Sequence, residues 1–198
     1  MIVKFFELKK RDINKIKYFL LYGNNRGLID ETFNKTIKPS KTQNIYNYDE
    51  NDILKNLDSF EETISIKSFF DKEKLIIINR ATDKIFKIIN NIIDKNLEDV
   101  SIVLISGILE KKSKIRNLFE KNKETIVVPF YEDNYQSLNI YIINFLKEKN
   151  ISLSSQNINL IIERSKGDRI NLINELNKIE SFSKTQKQIK TEDILRLT

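Results

Sequence analysis

At 198 residues, 40% apolar and 31% charged, the chain has room for one large domain, or one medium and one small, with a substantial core. It contains no Cys and no His, which excludes thiol chemistry, disulfides, Cys/His zinc sites and any His-based triad or general base. The net charge of +6 points only modestly to a nucleic-acid or replication-type partner, because the bias toward Ile, Lys and Asn also follows from an AT-rich genome.

The N-terminal run MIVKFFELKKRD is too short in apolar length for a signal peptide, and no later segment reaches membrane-spanning length. A cytoplasmic protein is expected. Ile2–Leu8 alternates weakly, and Lys9 to Asp12 reads as a polar turn. Tyr18–Tyr22 (YFLLY) is a strongly apolar run ending at Gly23, the pattern of a central strand entering a tight loop. Beyond Gly23-Asn24-Asn25-Arg26-Gly27, apolar residues at Leu28, Ile29, Phe33 and Ile37 have helical spacing, and Lys38-Pro39-Ser40 ends that helix.

Strand, glycine loop and helix form the layout of a phosphate-binding unit. The chemistry is missing. Gly23 to Gly27 is one residue short of G-x-x-x-x-G-K-[ST], and Leu28-Ile29 stands where Lys and Ser/Thr would meet phosphate and magnesium. The loop is read as a nucleotide-binding architecture without its site.

Asn44–Tyr48 reads as a second strand, and Asp49 caps a helix running to Phe60. Leu75–Ile78 in the next strand, Lys74–Asn79, are four consecutive branched aliphatics, as expected of a strand covered on both faces. Just before it, Phe69 and Phe70 stand side by side, followed by Asp71-Lys72-Glu73-Lys74. Adjacent residues on a helix point about 100° apart, so a narrow apolar stripe does not readily bury both. One ring facing outward beside charge makes a protein-binding anchor. The plainer alternative is a neighbouring loop that covers both.

Asp83–Leu97 is an amphipathic helix with Ile85, Phe86, Ile89, Ile92, Ile93 and Leu97 on one face. Val100–Ser106 is a buried strand, Lys111–Asn122 a basic helix with Ile115, Leu118 and Phe119 inward, and Thr125–Val128 a fifth strand closed by Pro129. Five strands alternating with helices imply an α/β three-layer sandwich of the P-loop type, with a parallel sheet and right-handed crossovers. The fourth strand ends without the acidic pair that would coordinate magnesium and orient water.

From Asn134 the pattern is helical throughout. Asp133 or Asn134 caps Tyr135–Lys149, Ser154 caps Ser155–Ser165, and Gly167 ends that helix. Asp168 caps Arg169–Ser183, with Ile170, Ile173, Leu176, Ile179 and Phe182 in register, and Thr191 caps Glu192–Leu197. The expected division is residues 1–132 as an AAA+-like α/β domain and 133–198 as a helical lid.

The pieces KYFLLYGNNRGLIDE, SFFDKEKLIII and VLISGILEKKSKIRNLFEKN, with the stretch FYEDNYQSLNIYIINFLKEKN through GDRINLINELNKI, resemble the delta subunit of the bacterial DNA polymerase III clamp loader. The resemblance covers essentially the whole chain. It implies an AAA+-like domain, a lid and a C-terminal collar domain, the last absent here, and a degenerate loop that does not hydrolyse ATP. No catalytic residue, metal or cofactor is implied.

It further implies a replisome component, nucleoid-associated in the cytoplasm. Its partners would be the sliding clamp (beta subunit), the gamma/tau and delta-prime subunits and, indirectly, DNA. An apolar wedge before the third strand would open the clamp, and it maps onto Ser68, Phe69 and Phe70. Phe69 departs from the commoner Leu but keeps the apolar bulk. Lys111, Lys112, Lys114 and Arg116 form a basic patch that would face DNA, with a solvated helix face as the plainer reading. Arg26 reads as a surface loop residue, and Glu175 with Lys178 as an exposed ion pair. An active P-loop or AAA+ ATPase with an atypical loop is the alternative, and a DNA-binding helical adaptor a third.

Overall fold

In the computed structural model, residues 1–38, 44–66, 73–185 and 188–198 are described. Five parallel strands form one sheet in the order β2-β3-β4-β1-β5: β1 Tyr18–Gly23, β2 Asn44–Asp49, β3 Lys74–Asn79, β4 Val100–Ser106 and β5 Thr125–Phe130. The fold is the expected AAA+-like α/β sandwich with a helical C-terminal part. β1, β3 and β4 lie inside the sheet, which is why they are nearly unbroken apolar runs. Phe19, Leu20, Ile76, Ile102 and Val103 are completely buried there. The edge strand β2 instead leaves Asn44, Ile45 and Asn47 exposed.

Helices cover the sheet with apolar stripes. α1 is a single turn, Phe5–Leu8. α2 spans Arg26–Thr32 and widens into a π-helical turn over Phe33–Ile37, burying Ile29, Phe33 and Ile37. α3 is Glu50–Lys55 and α4 Leu57–Ser65. One helix was expected from Asp49 to Phe60. The break falls at Asn56 (φ −132°, ψ 60°), a residue whose side chain competes poorly for helix interiors. α5 is Phe86–Lys95, entered by a 3-10 turn at Asp83–Ile85, and α6 is Lys114–Lys121. α6 starts later than the pattern suggests because Ser113 Oγ caps it, accepting from Arg116 N–H at 3.3 Å.

β5 does not stop at Val128 but continues through Pro129 to Phe130. Val127 N–H donates to Met1 O at 2.9 Å and Val3 N–H donates to Val127 O at 2.8 Å, so alternate residues of β5 turn their amides away from β1. Pro129 falls in that set. Its missing N–H therefore costs the ladder nothing, as an edge strand permits.

The chain forms two compact units, Met1–Asn24 with Ile29–Phe130, and Asn25–Leu28 with Tyr131–Thr198. In the second, α7 (Tyr135–Glu148), α8 (Ser155–Ser165), α9 (Arg169–Ser183) and α10 (Thr191–Leu197) share a core around Leu138, Ile142, Ile161, Leu172, Leu176 and Ile179. The buried register of α9 is Leu172-Leu176-Ile179, and Ile170 is exposed, contrary to the sequence-based register. α10 is capped one residue earlier than expected, Asp193 accepting from Lys190 N–H at 2.9 Å.

Gly23 has φ +141°, and a Cβ there would lie 1.9 Å from the Phe130 carbonyl oxygen, whereas Gly107 has open space around it. Gly23→Ala is expected to destabilise the protein by about 3 kcal/mol or more, and Gly107→Ala by less than about 1 kcal/mol. Denaturant unfolding of the two variants side by side checks the difference.

Candidate functional site

The glycine loop is the natural starting point, because ligands in open α/β sheets bind beyond the carboxyl ends of the strands. Gly23 closes β1 and its N–H donates to Gly107 O at 3.1 Å. Its lack of a side chain serves the close approach to Phe130 described above. Neither β4, which pairs with β1, nor β3 beyond it carries a carboxylate at its end: β3 ends Asn79-Arg80 and β4 ends Ser106-Gly107. Asn79 and Arg80 are engaged locally, Arg80 with Asp49.

In the second unit, the rest of the loop is occupied by the chain's own polar groups. Asn25 is buried and its Oδ1 caps α2 by accepting from Leu28 N–H at 3.0 Å. Its Nδ2 donates to Tyr131 O at 3.1 Å and to Asp133 Oδ2 at 2.7 Å. Arg169, the first residue of α9, meets the same carboxylate with two parallel bonds, Nε to Oδ2 and Nη2 to Oδ1, each 2.7 Å. Ser137 Oγ adds a fourth at 2.6 Å.

The side chains of Arg169 and Asp133 are only 7% and 3% exposed, so this is a buried, fork-shaped ion pair. The guanidinium also stands 4.7 Å over the Tyr141 ring. Burial alone would raise the Asp133 pKa. The hydrogen bonds from Arg169, Ser137 and Asn25 and the Arg169 charge overcome that and hold it below the ordinary carboxylate value. Gly27 makes room for the arginine, since a Cβ there would sit 3.1 Å from Arg169 Cβ and Cγ.

Sequence reading missed this cluster. Asp133 looked like one of two possible helix caps, but Asn134 takes that role, accepting from Ser137 N–H at 2.8 Å. Nothing local marks Asp133 as the partner of Arg169.

Ser68, Phe69 and Phe70 lie outside the described residues, as do Asp71 and Lys72. Lys74 does not belong with the rim charges near them. It is 3% exposed, and its ammonium donates to Thr63 O at 2.7 Å and to Ile66 O, binding the carboxyl end of α4. The basic patch separates similarly. Arg116 turns inward, donating to Glu120 at 2.7 Å and to Leu109 O at 3.0 Å, with its guanidinium 5.1 Å over Tyr22. Lys112 pairs with Glu110 at 2.9 Å, and Lys111 and Lys114 are exposed. Lys112, Lys114 and Lys121 rim a shallow groove of about 610 Å³ over Phe86 and Leu118. Glu175 and Lys178 pair at 2.5 Å. Among the described residues no group of three or more acidic side chains is placed to hold a metal, and no helix is long and apolar enough to cross a membrane.

No protein-family model matches the chain. A probable DNA polymerase III subunit delta from Rickettsia prowazekii is 25% identical over 92% of this chain and 56% of its own length. The chain is a relative of DNA polymerase III subunit delta. It spans about half, 56%, of that delta relative's length. The Bacillus subtilis DNA clamp loader delta protein has the same fold, with a TM-score of 0.63 and 16% identity over 98% of this chain and 62% of that one. The Thermotoga maritima RuvB branch-migration motor (TM-score 0.60, 16% identity, 92% and 61% covered) shares it too. So does domain III of the Thermotoga maritima replication initiation protein DnaA (0.56, 12%, 98% and 87%).

Because Asp133 is held below the ordinary value of about 3.9, its contribution is complete above that pH and lost as pH falls through the lower folded-state value. Asp133→Asn leaves Arg169 buried without a counter-charge, so at neutral pH it is expected to cost about 3–5 kcal/mol. Denaturant unfolding of both proteins from pH 7 to about 3 is expected to show the wild-type advantage shrinking with acid.

Proposed function

We propose that this chain is a clamp-loader delta subunit: it binds the sliding clamp and opens the ring for loading on DNA during replication, without hydrolysing ATP itself. The relationship to subunit delta over 92% of the chain carries the reading. The unit bearing the sheet then serves as the AAA+-like domain and the helical unit as the lid. Partners are the beta clamp, the gamma/tau and delta-prime subunits and, through them, DNA, at the nucleoid in the cytoplasm. Lys111 and Lys114 are the members of the basic patch left to face DNA phosphates.

Clamp contact is assigned to Ser68, Phe69 and Phe70. Support comes from their match to the family wedge and from their place before β3, two aromatic rings beside a charged run. The absence of catalysis is supported by the short loop, by the ends of β3 and β4, which lack carboxylates, and by the Asn25–Asp133–Arg169 cluster.

The deciding experiment is binding to the sliding clamp of the same organism, with Phe69→Ala, Phe70→Ala and the double variant melted in parallel. The double variant is expected to lose at least about thirtyfold in affinity, about 2 kcal/mol, a hot-spot magnitude. Its stability should fall by much less than the roughly 3–5 kcal/mol of removing one core Phe. Unchanged affinity with a large loss of stability would mean that the rings are core.

Calorimetry with ATP and ADP in magnesium is expected to show no binding at micromolar concentration. Low-micromolar, magnesium-dependent binding would favour the ATPase reading instead.

A further inference from the structure

The Asp133 carboxylate is surrounded as a bound ligand would be. It accepts four hydrogen bonds, two from Arg169, one from Asn25 Nδ2 and one from Ser137 Oγ, at 2.6–2.7 Å. The donors come from separate places: the start of α2, the first turn of α7 and the head of α9. Each is held by something else. Asn25 is oriented by Tyr131 O and Leu28 N–H, Arg169 by the Tyr141 ring, and Ser137 by the capping box with Asn134. A planar guanidinium fork with converging neutral donors recognises carboxylates and phosphates by the same geometry.

We propose that Asn25, Ser137 and Arg169 constitute an oxyanion-binding site whose seat is taken by the chain's own Asp133, and that the external ligand it would accept is a phosphate-type oxyanion, such as phosphate or pyrophosphate. Asp133 thus acts as an internal inhibitor, satisfying the donors and placing a negative charge where the ligand's would go. Two charges of one sign cannot share the seat, so the intact protein takes no second anion. Gly27 fits the same account, because its missing side chain admits the arginine stem at 3.1 Å.

The inference is separate from the clamp-binding proposal, and its test involves no clamp. Asp133→Ala and Asp133→Ser are melted in sodium pyrophosphate, sodium phosphate and sodium chloride of matched ionic strength, beside wild type and the double variant Asp133→Ala/Arg169→Met. Pyrophosphate at about 20 mM is expected to raise the melting temperature of the single variants several degrees above the chloride control, as a ligand of the folded state must. Wild type and the double variant should show no such rise. If the single variants do not fold in chloride, pyrophosphate is expected to restore folding. The proposal is overturned if the single variants gain nothing from pyrophosphate, folded or not, or if the double variant gains as much as they do.

Discussion

Everything in the first unit depends on covering a parallel sheet on both faces. A strand with helices above and below must be apolar at every position, because a polar side chain there has neither water nor a partner. β4 is buried along its whole length and apolar except at Ser101 and Ser106, and β1 and β3 are nearly as buried. Several polar groups at strand ends are paired with backbone carbonyls. Ser106 donates to Ala81 O, Thr125 to Phe119 O, and Lys74 at the head of β3 donates to two carbonyls of the helix before it. Such groups join strand ends to neighbouring connections without placing an unpaired charge in the core.

In the second unit the same constraint takes an ionic form. Arg169 and Asp133 are buried, so neither ion is supported by water, and each depends on the other and on the neutral donors around them. A buried pair of this kind adds little stability compared with apolar packing, but it is costly to break. That asymmetry makes it a specifying contact rather than a stabilising one.

The glycine loop shows how a motif-like spacing acquires a different physical purpose. Gly23 is glycine because a carbonyl of β5 lies where a Cβ would be, and at Gly27 a Cβ would press on the arginine stem at 3.1 Å. Both needs are steric and internal. A working phosphate loop requires the lysine and hydroxyl residue that Leu28 and Ile29 replace. Both aliphatics are buried, Leu28 at 7% and Ile29 at 1% exposure.

Several elements were legible in the chain before any coordinates. The five strands, the helix caps at Asp49, Ser154 and Asp168, and the change to an all-helical pattern after Asn134 follow from periodicity and short-range hydrogen bonding, which operate over a few residues. The loop's missing lysine is likewise a local signal. Other outcomes needed tertiary structure because their partners are distant in sequence. Pro129 continues a strand because β5 is an edge and Met1–Val3 takes its outward amides. Lys74 is a buried helix clamp rather than a rim charge, and Arg116 folds onto Tyr22 and Glu120 instead of joining a cationic face. The pairing of Arg169 with Asp133 spans 36 residues and is set by where two helices begin, a choice that propensity and spacing do not make.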